Sequence, residues 1–110
     1  MSVEKILELE NEADALRNEG KYKEAVDKTV EILGIDDTFA RAHLTLAVLY
    51  DKTGEYEKAC AHAEKACELE PNDSFNITAL SVTYQRAFEG TQDRSYIEKA
   101  EIALAKANGY

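Results

Sequence analysis

The sequence predicts an all-α protein built from three antiparallel helix pairs, stacked side by side in chain order. Three observations predict it. Shifted by 34 residues, the 110-residue chain matches itself. Its apolar residues recur at spacings of three and four, the period of a helix buried on one face. Gly and Pro fall between those periodic stretches, where a helix must stop. Sustained alternation of apolar and polar residues, the mark of a half-buried strand, is missing, as is an Asn-Gly hairpin between strands.

The self-match is dense. Gly20-Lys21-Tyr22-Lys23-Glu24-Ala25 falls on Gly54-Glu55-Tyr56-Glu57-Lys58-Ala59. Leu46, Val48 and Tyr50 fall on Leu80, Val82 and Tyr84, while Ala13 falls on Ala47 and Leu16 on Tyr50. Helices are expected near residues 3–19, 22–33, 39–52, 55–69, 74–89 and 95–108. The first pair turns at Gly20. In the second, His43, Leu46, Ala47 and Tyr50 form one face of a helix that Gly54 ends, because glycine tolerates the left-handed conformation. Tyr56, Ala59, Ala63, Ala66 and Leu69 form the next face, and Pro71 closes it. In the third copy Tyr84 and Ala100 are sixteen residues apart, where Tyr50 and Ala59 are nine apart. Seven extra residues are about two helical turns. They are assigned to a longer first helix and a widened turn at Gly90–Arg94, followed by a capping box with Ser95 as N-cap and Glu98 three residues on. The insertion reads either as a plain loop elongation or as a protruding knuckle that touches a partner through Phe88 and Tyr96.

Small residues say how the helices meet. Ala13, Ala47 and Ser81 let a second helix approach closely, and Ala25, Ala59 and Ala100 answer from that helix. Tyr50 and Tyr84 are expected to wedge between neighbouring pairs. One pair cannot bury its own apolar stripe, so three pairs must share a core.

These residues resemble the tetratricopeptide repeat. The copy at 40–73 carries Leu46-Ala47, Tyr50, Gly54, Tyr56, Ala59, Ala66 and Pro71 at the family's spacings. His43 stands where the family prefers a large aromatic residue, and Ala63 where it prefers Phe. Copies at about 6–39 and 74–110 follow less closely, with Glu12 replacing the usual Leu in the first and an insertion near 88–94 in the third. The resemblance implies an α-solenoid, a right-handed superhelix forming a single domain over 1–110, and a non-enzymatic protein-interaction module or adaptor. It further implies that the first helix of each pair lines a concave face. The groove residues are then Glu10 and Asp14 from the first copy, Arg41, Leu44 and Val48 from the second, and Phe75, Val82 and Arg86 from the third.

Some family members grip the C-terminal carboxylate of heat-shock chaperones with Lys, Asn and Arg on this face. Here those positions hold Glu10, Asp14, Thr45, Phe75 and Ala79. Two acids there repel a carboxylate. Leu44, Val48, Phe75 and Val82 instead offer an apolar floor beside acidic side chains, which suits a protein or peptide with an apolar anchor and a basic flank.

Composition narrows the rest. With 22 acidic and 13 basic residues the formal net charge is -9, which disfavours nucleic acid and anionic membrane as partners. No apolar run is long enough for a membrane span, and Met1–Lys5 lacks an apolar signal core, so a cytoplasmic setting is expected. Gly-x-Ser-x-Gly, His-Glu-x-x-His, Cys-x-x-Cys and Gly-rich phosphate loops are missing, so no catalytic residue, metal or cofactor is assigned. Cys60 and Cys67, seven residues apart, lie about 10.5 Å apart along a helix, too far to pair. His43 is expected in the core and His62 on an outward face. Charge falls along the chain: residues 1–39 carry 11 acids and 5 bases, residues 40–73 carry 7 and 4, and residues 74–110 carry 4 and 4. The acidic first helix reads as a solvated end. Ile97, Ile102, Leu104 and Tyr110 give the other end an apolar face, and the alternative reading is a self-assembling scaffold, a homodimer through that last helix.

Overall fold

The computed structural model describes residues 2–107, and all six expected helices are present: α1 Ser2–Asn18, α2 Tyr22–Ile35, α3 Ala40–Lys52, α4 Tyr56–Leu69, α5 Ser74–Thr91 and α6 Ser95–Ala107. No strand occurs among the described residues. Each helix packs on the next in chain order, and α3 also packs on α5, so the first helices of successive pairs form one face. The result is a right-handed α-solenoid 40 × 28 × 18 Å across.

The turns follow from glycine. Gly20 and Gly54 have φ of 78° and 79°, a left-handed conformation that a Cβ would disfavour. Beyond them the chain closes the helix by a Schellman motif: Lys21 N–H donates to the Leu16 carbonyl at 2.8 Å, and Glu55 N–H donates to the Tyr50 carbonyl at 2.8 Å. The small-residue seams lie where the sequence puts them. Ala13, Ala25, Ala47, Ala59, Ser81 and Ala100 are all buried. Ser81 does more than fit, because its hydroxyl donates to the Ala100 carbonyl at 3.2 Å and ties α5 to α6. Tyr84 is buried, and its hydroxyl donates to the Glu64 carboxylate of α4. Burial first, then that bond, pushes the Tyr84 phenol above its ordinary range. Cys60 and Cys67 are both free thiols, and burial pushes Cys60 up to about 11.

Four expectations are corrected by packing. The third pair has no widened turn at Gly90, because α5 runs on to Thr91. Gly90 instead gives α5 room to pass the Tyr56 ring, which an added Cβ would overlap. The turn is Gln92–Arg94, with Gln92 left-handed at φ 63° and its N–H donating to the Phe88 carbonyl at 2.7 Å. Ser95 is not the N-cap. It is the first residue of α6, and its N–H donates to Asp93 Oδ1 at 3.0 Å, so Asp93 closes the helix start. Phe88 and Tyr96 form no knuckle. Phe88 is half-buried, and Tyr96 stacks on Tyr84 at 6.3 Å, packed against the cluster of Cys60, Tyr84, Ala87 and Ala100. His62 does not face outward. It is half-buried between His43, at 5.3 Å between ring centroids, and Tyr50, at 5.6 Å. Tyr110 lies outside the described residues.

Candidate functional site, the concave cleft

The concave side holds a cleft of about 470 Å³ between α3 and α5. Leu44, Ala47, Val48, Asp51 and Lys52 of α3 form one wall, and Phe75, Thr78, Ala79, Val82, Thr83 and Arg86 of α5 form the other. The walls arise from helical spacing. Leu44, Val48 and Lys52 repeat every four residues on one helix face, and Thr78, Val82 and Arg86 stand 34 residues on from them. Ala47, Thr78 and Ala79 are too small to fill the gap between the two parallel helices, so it stays open. Val48 is 44% exposed, Val82 42% and Phe75 71%. That concentration of uncovered apolar side chains in a concavity is unlike the scattered exposure of an ordinary surface.

The charged groups of the cleft sit toward the C-terminal ends of its two helices. Arg86 Nε approaches Asp51 Oδ2 at 3.9 Å, and Lys52 stands beside them. Asp51 is mostly buried against α5, whereas Arg86 remains 55% exposed. Phe75 marks the other end, its N–H donating to Asp73 Oδ1 at 2.9 Å in the first turn of α5.

The expected groove residues divide into two sets. Leu44, Val48, Phe75, Val82 and Arg86 come together on the cleft. Glu10, Asp14 and Arg41 lie apart from it, on the α1–α3 side. There Arg41 donates to both Glu10 carboxylate oxygens, Nε to Oε2 at 2.7 Å and Nη2 to Oε1 at 2.8 Å. That bidentate bond is the chief reason the Arg41 guanidinium is held more firmly in its charged form. Glu10 is therefore already matched, and the space beneath the pair has shrunk to about 20 Å³, lined by Ala13, Thr29 and Ala42 among others. Asp14 is exposed, with Arg17 at 3.5 Å. The α1–α3 half of the concave face is thus shut by an ion pair, while the α3–α5 half is open. No spacing rule links residues 31 apart, so this bond had no signal in the sequence.

Residues 40–73, the whole of the second helix pair, match the profile of the tetratricopeptide repeat. That stretch is a tetratricopeptide repeat. Over 52 residues it is 44% identical to the TPR repeat-containing thioredoxin TTL4 of Arabidopsis thaliana, a match covering 47% of this chain and 8% of that protein. Among solved structures, it resembles the Sgt2 TPR domain from Aspergillus fumigatus, with a TM-score of 0.67 at 20% identity over 94% of this chain and 81% of that one. It also resembles the first TPR of Spaghetti (RPAP3) bound to the HSP90 peptide SRMEEVD, with a TM-score of 0.68 at 18% identity over 93% and 94%. For the first TPR domain of human RPAP3 the TM-score is 0.64 at 19% identity, over 96% and 97%. At those identities the likeness is one of fold, and the three helix pairs described above are that fold.

Among the described residues, no three His, Cys, Asp or Glu side chains converge as a metal site would require. None of the described helices is long and apolar enough to cross a membrane.

Proposed function

We propose that this chain acts as a non-enzymatic protein-interaction module, an adaptor of three repeats over about 6–39, 40–73 and 74–110. Its α3–α5 cleft would receive an apolar anchor of a partner peptide or helix. The observation that carries this reading is the cleft itself, with Val48, Phe75 and Val82 left uncovered in one concavity. Covering such side chains is worth about 1.5–3 kcal/mol each, which makes the anchor the main source of affinity. A basic flank on the partner would lie toward Asp14, the acid of the α1–α3 half that no bidentate bond occupies. The peptide SRMEEVD held by the Spaghetti domain is acidic. A tail of that kind fits this face poorly, since Arg41 is engaged by Glu10 and the remaining groove positions are Thr45, Phe75 and Ala79. The free thiols suit a reducing cytoplasmic setting.

The test is a peptide array carrying apolar-anchored basic sequences and acidic C-terminal tails, probed with the wild type, Val48→Glu and Asp14→Asn. Basic apolar peptides should be retained, Val48→Glu should lower their affinity at least tenfold, and Asp14→Asn should change it less than about fivefold, as exposed charge pairs contribute about 0–1 kcal/mol. Equal retention of acidic tails by wild type and Val48→Glu would defeat the reading.

A second reading is favoured by one further observation. Ile102 is 68% exposed and Leu104 39%, and half-buried Phe88 and Ile97 line a groove between α5 and α6 beside Leu104. Self-association through α6 is the reading that face supports.

A further inference from the structure

His43 and His62 meet Nδ1 to Nδ1 at 3.0 Å, across the α3–α4 seam. Their partners dictate their tautomers. His43 Nε2 lies 3.2 Å from the Asp37 carbonyl, which only accepts, so Nε2 carries the proton and donates. In its neutral form His43 then offers a bare Nδ1. The short contact requires that His62 Nδ1 carry its own proton and donate to it. A chain of donors therefore runs from α4 through α3 to the loop between α2 and α3.

This arrangement counts protons. One added proton is tolerated, because a single N–H still lies between the two Nδ1 atoms. A second puts an N–H on each Nδ1. Two N–H groups and two positive charges would then face one another at a spacing only a hydrogen bond tolerates. We propose that the His43–His62 pair is a proton-operated latch, closed while the pair holds no more than one added proton and opened by the second, which parts α4 from α3 and the Asp37 loop.

Among the described residues, burial and the His43 ring act on His62 and no carboxylate does. From α3 the pair meets Tyr50, and the Lys58 ammonium of α4 lies 5.4 Å from the Tyr50 ring centroid. From the loop it meets Asp37 through the backbone carbonyl, not the carboxylate. On α2, the Lys28 cation is engaged with Glu12 and Glu31. On α5, Tyr84 is engaged with Glu64. Burial first and His43 second hold His62 toward its neutral form. The sign follows. The unfolded chain takes both protons near the ordinary value of about 6.5, while the closed contact has room for one N–H between the rings. Stability is complete above that value and declines as pH falls below it. His43 adjoins Leu44, so the latch holds the helix that walls the cleft, though it does not depend on what the cleft binds.

Denaturant unfolding of the full chain between pH 7 and pH 5 tests the latch. One refused proton lowers the folded-to-unfolded ratio by about thirtyfold over that range, before most carboxylates titrate. In His62→Gln the amide can turn its oxygen toward a protonated His43, and the fall should shrink to less than about threefold. An equally steep fall in His62→Gln overturns the proposal. Should that variant fail to fold, nitrogen NMR of the wild-type imidazoles decides. The proposal requires His43 protonated at Nε2 and His62 at Nδ1 at pH 7.5, with two separated proton uptakes. Identical tautomers, or both rings titrating together without loss of structure, would overturn it.

Discussion

Gly90 shows how one side chain's absence can set the path of a helix. Ordinarily Gly→Ala inside a helix stabilises by about 1 kcal/mol. Here the new methyl would overlap the Tyr56 ring, which is itself packed on the Tyr84 cluster. Gly90→Ala should therefore destabilise, by about 1–3 kcal/mol, while in a Tyr56→Ala background it should stabilise. Urea midpoints for the four chains of this cycle give the answer, and additive effects would show that the ring does not restrain α5. Asn76 presents the opposite case. It is 3% exposed, and among the described residues its Nδ2 has no acceptor. Its counterpart 34 residues earlier is Ala42, buried without cost. An unpaired buried donor costs about 1–3 kcal/mol, so Asn76→Ala should be neutral or stabilising by about 1 kcal/mol despite the lost contacts. A loss of 2 kcal/mol or more, on the order of a core truncation, would mean that the amide is paired in solution.

At the scale of the element, most helix starts here lack a side-chain cap: Lys21, Phe39 and Glu55 precede α2, α3 and α4 without one. Tertiary packing of apolar faces holds those ends. α5 and α6 differ, with Asp73 and Asp93 accepting from Phe75 and Ser95 N–H. The Ser95 backbone bond, then the Ser95 hydroxyl, holds the Asp93 carboxyl below the usual carboxylate range. A depressed carboxyl stabilises the fold above the unfolded value and ceases to do so as pH falls through the folded one. Asp93→Ala should speed amide exchange in the first turn of α6, and Asp93→Asn should largely preserve protection. Ser95→Ala, removing only the lesser bond, should leave exchange nearly unchanged. Faster exchange in Ser95→Ala than in Asp93→Ala would restore Ser95 as the cap.

Across the whole molecule, the two ends of the stack differ in chemistry. The first 39 residues carry a net charge of -6, from 11 acids and 5 bases, while residues 74–110 are neutral overall, with 4 of each. α6 keeps only Ala100 and Ala103 buried, leaving Ile102 and Leu104 to solvent. If α6 mediates association, Ile102→Lys should leave helicity and melting intact and abolish it, because the side chain supports nothing internal. Sedimentation of wild type and variant across a hundredfold dilution separates the cases. A wild type that remains monomeric throughout would assign α6 an ordinary solvent face.

The sequence by itself determined the architecture. A period of 34, glycines at 20 and 54, and small residues at 13, 47 and 81 are local or strictly periodic signals, and each of the six helices lies within a few residues of where they point. The open cleft was legible for the same reason, since Leu44, Val48 and Val82 share helix faces that a repeat must align. Tertiary structure alone decided which charges remain free and which rings meet. Glu10 finds Arg41 across 31 residues, and His62 finds His43 across 19, through the rotation of one helix against another. Helical period places a side chain on a face within one helix. It carries no information on the register between helices, and hydrogen bonds between side chains depend on that register to within a fraction of an ångström.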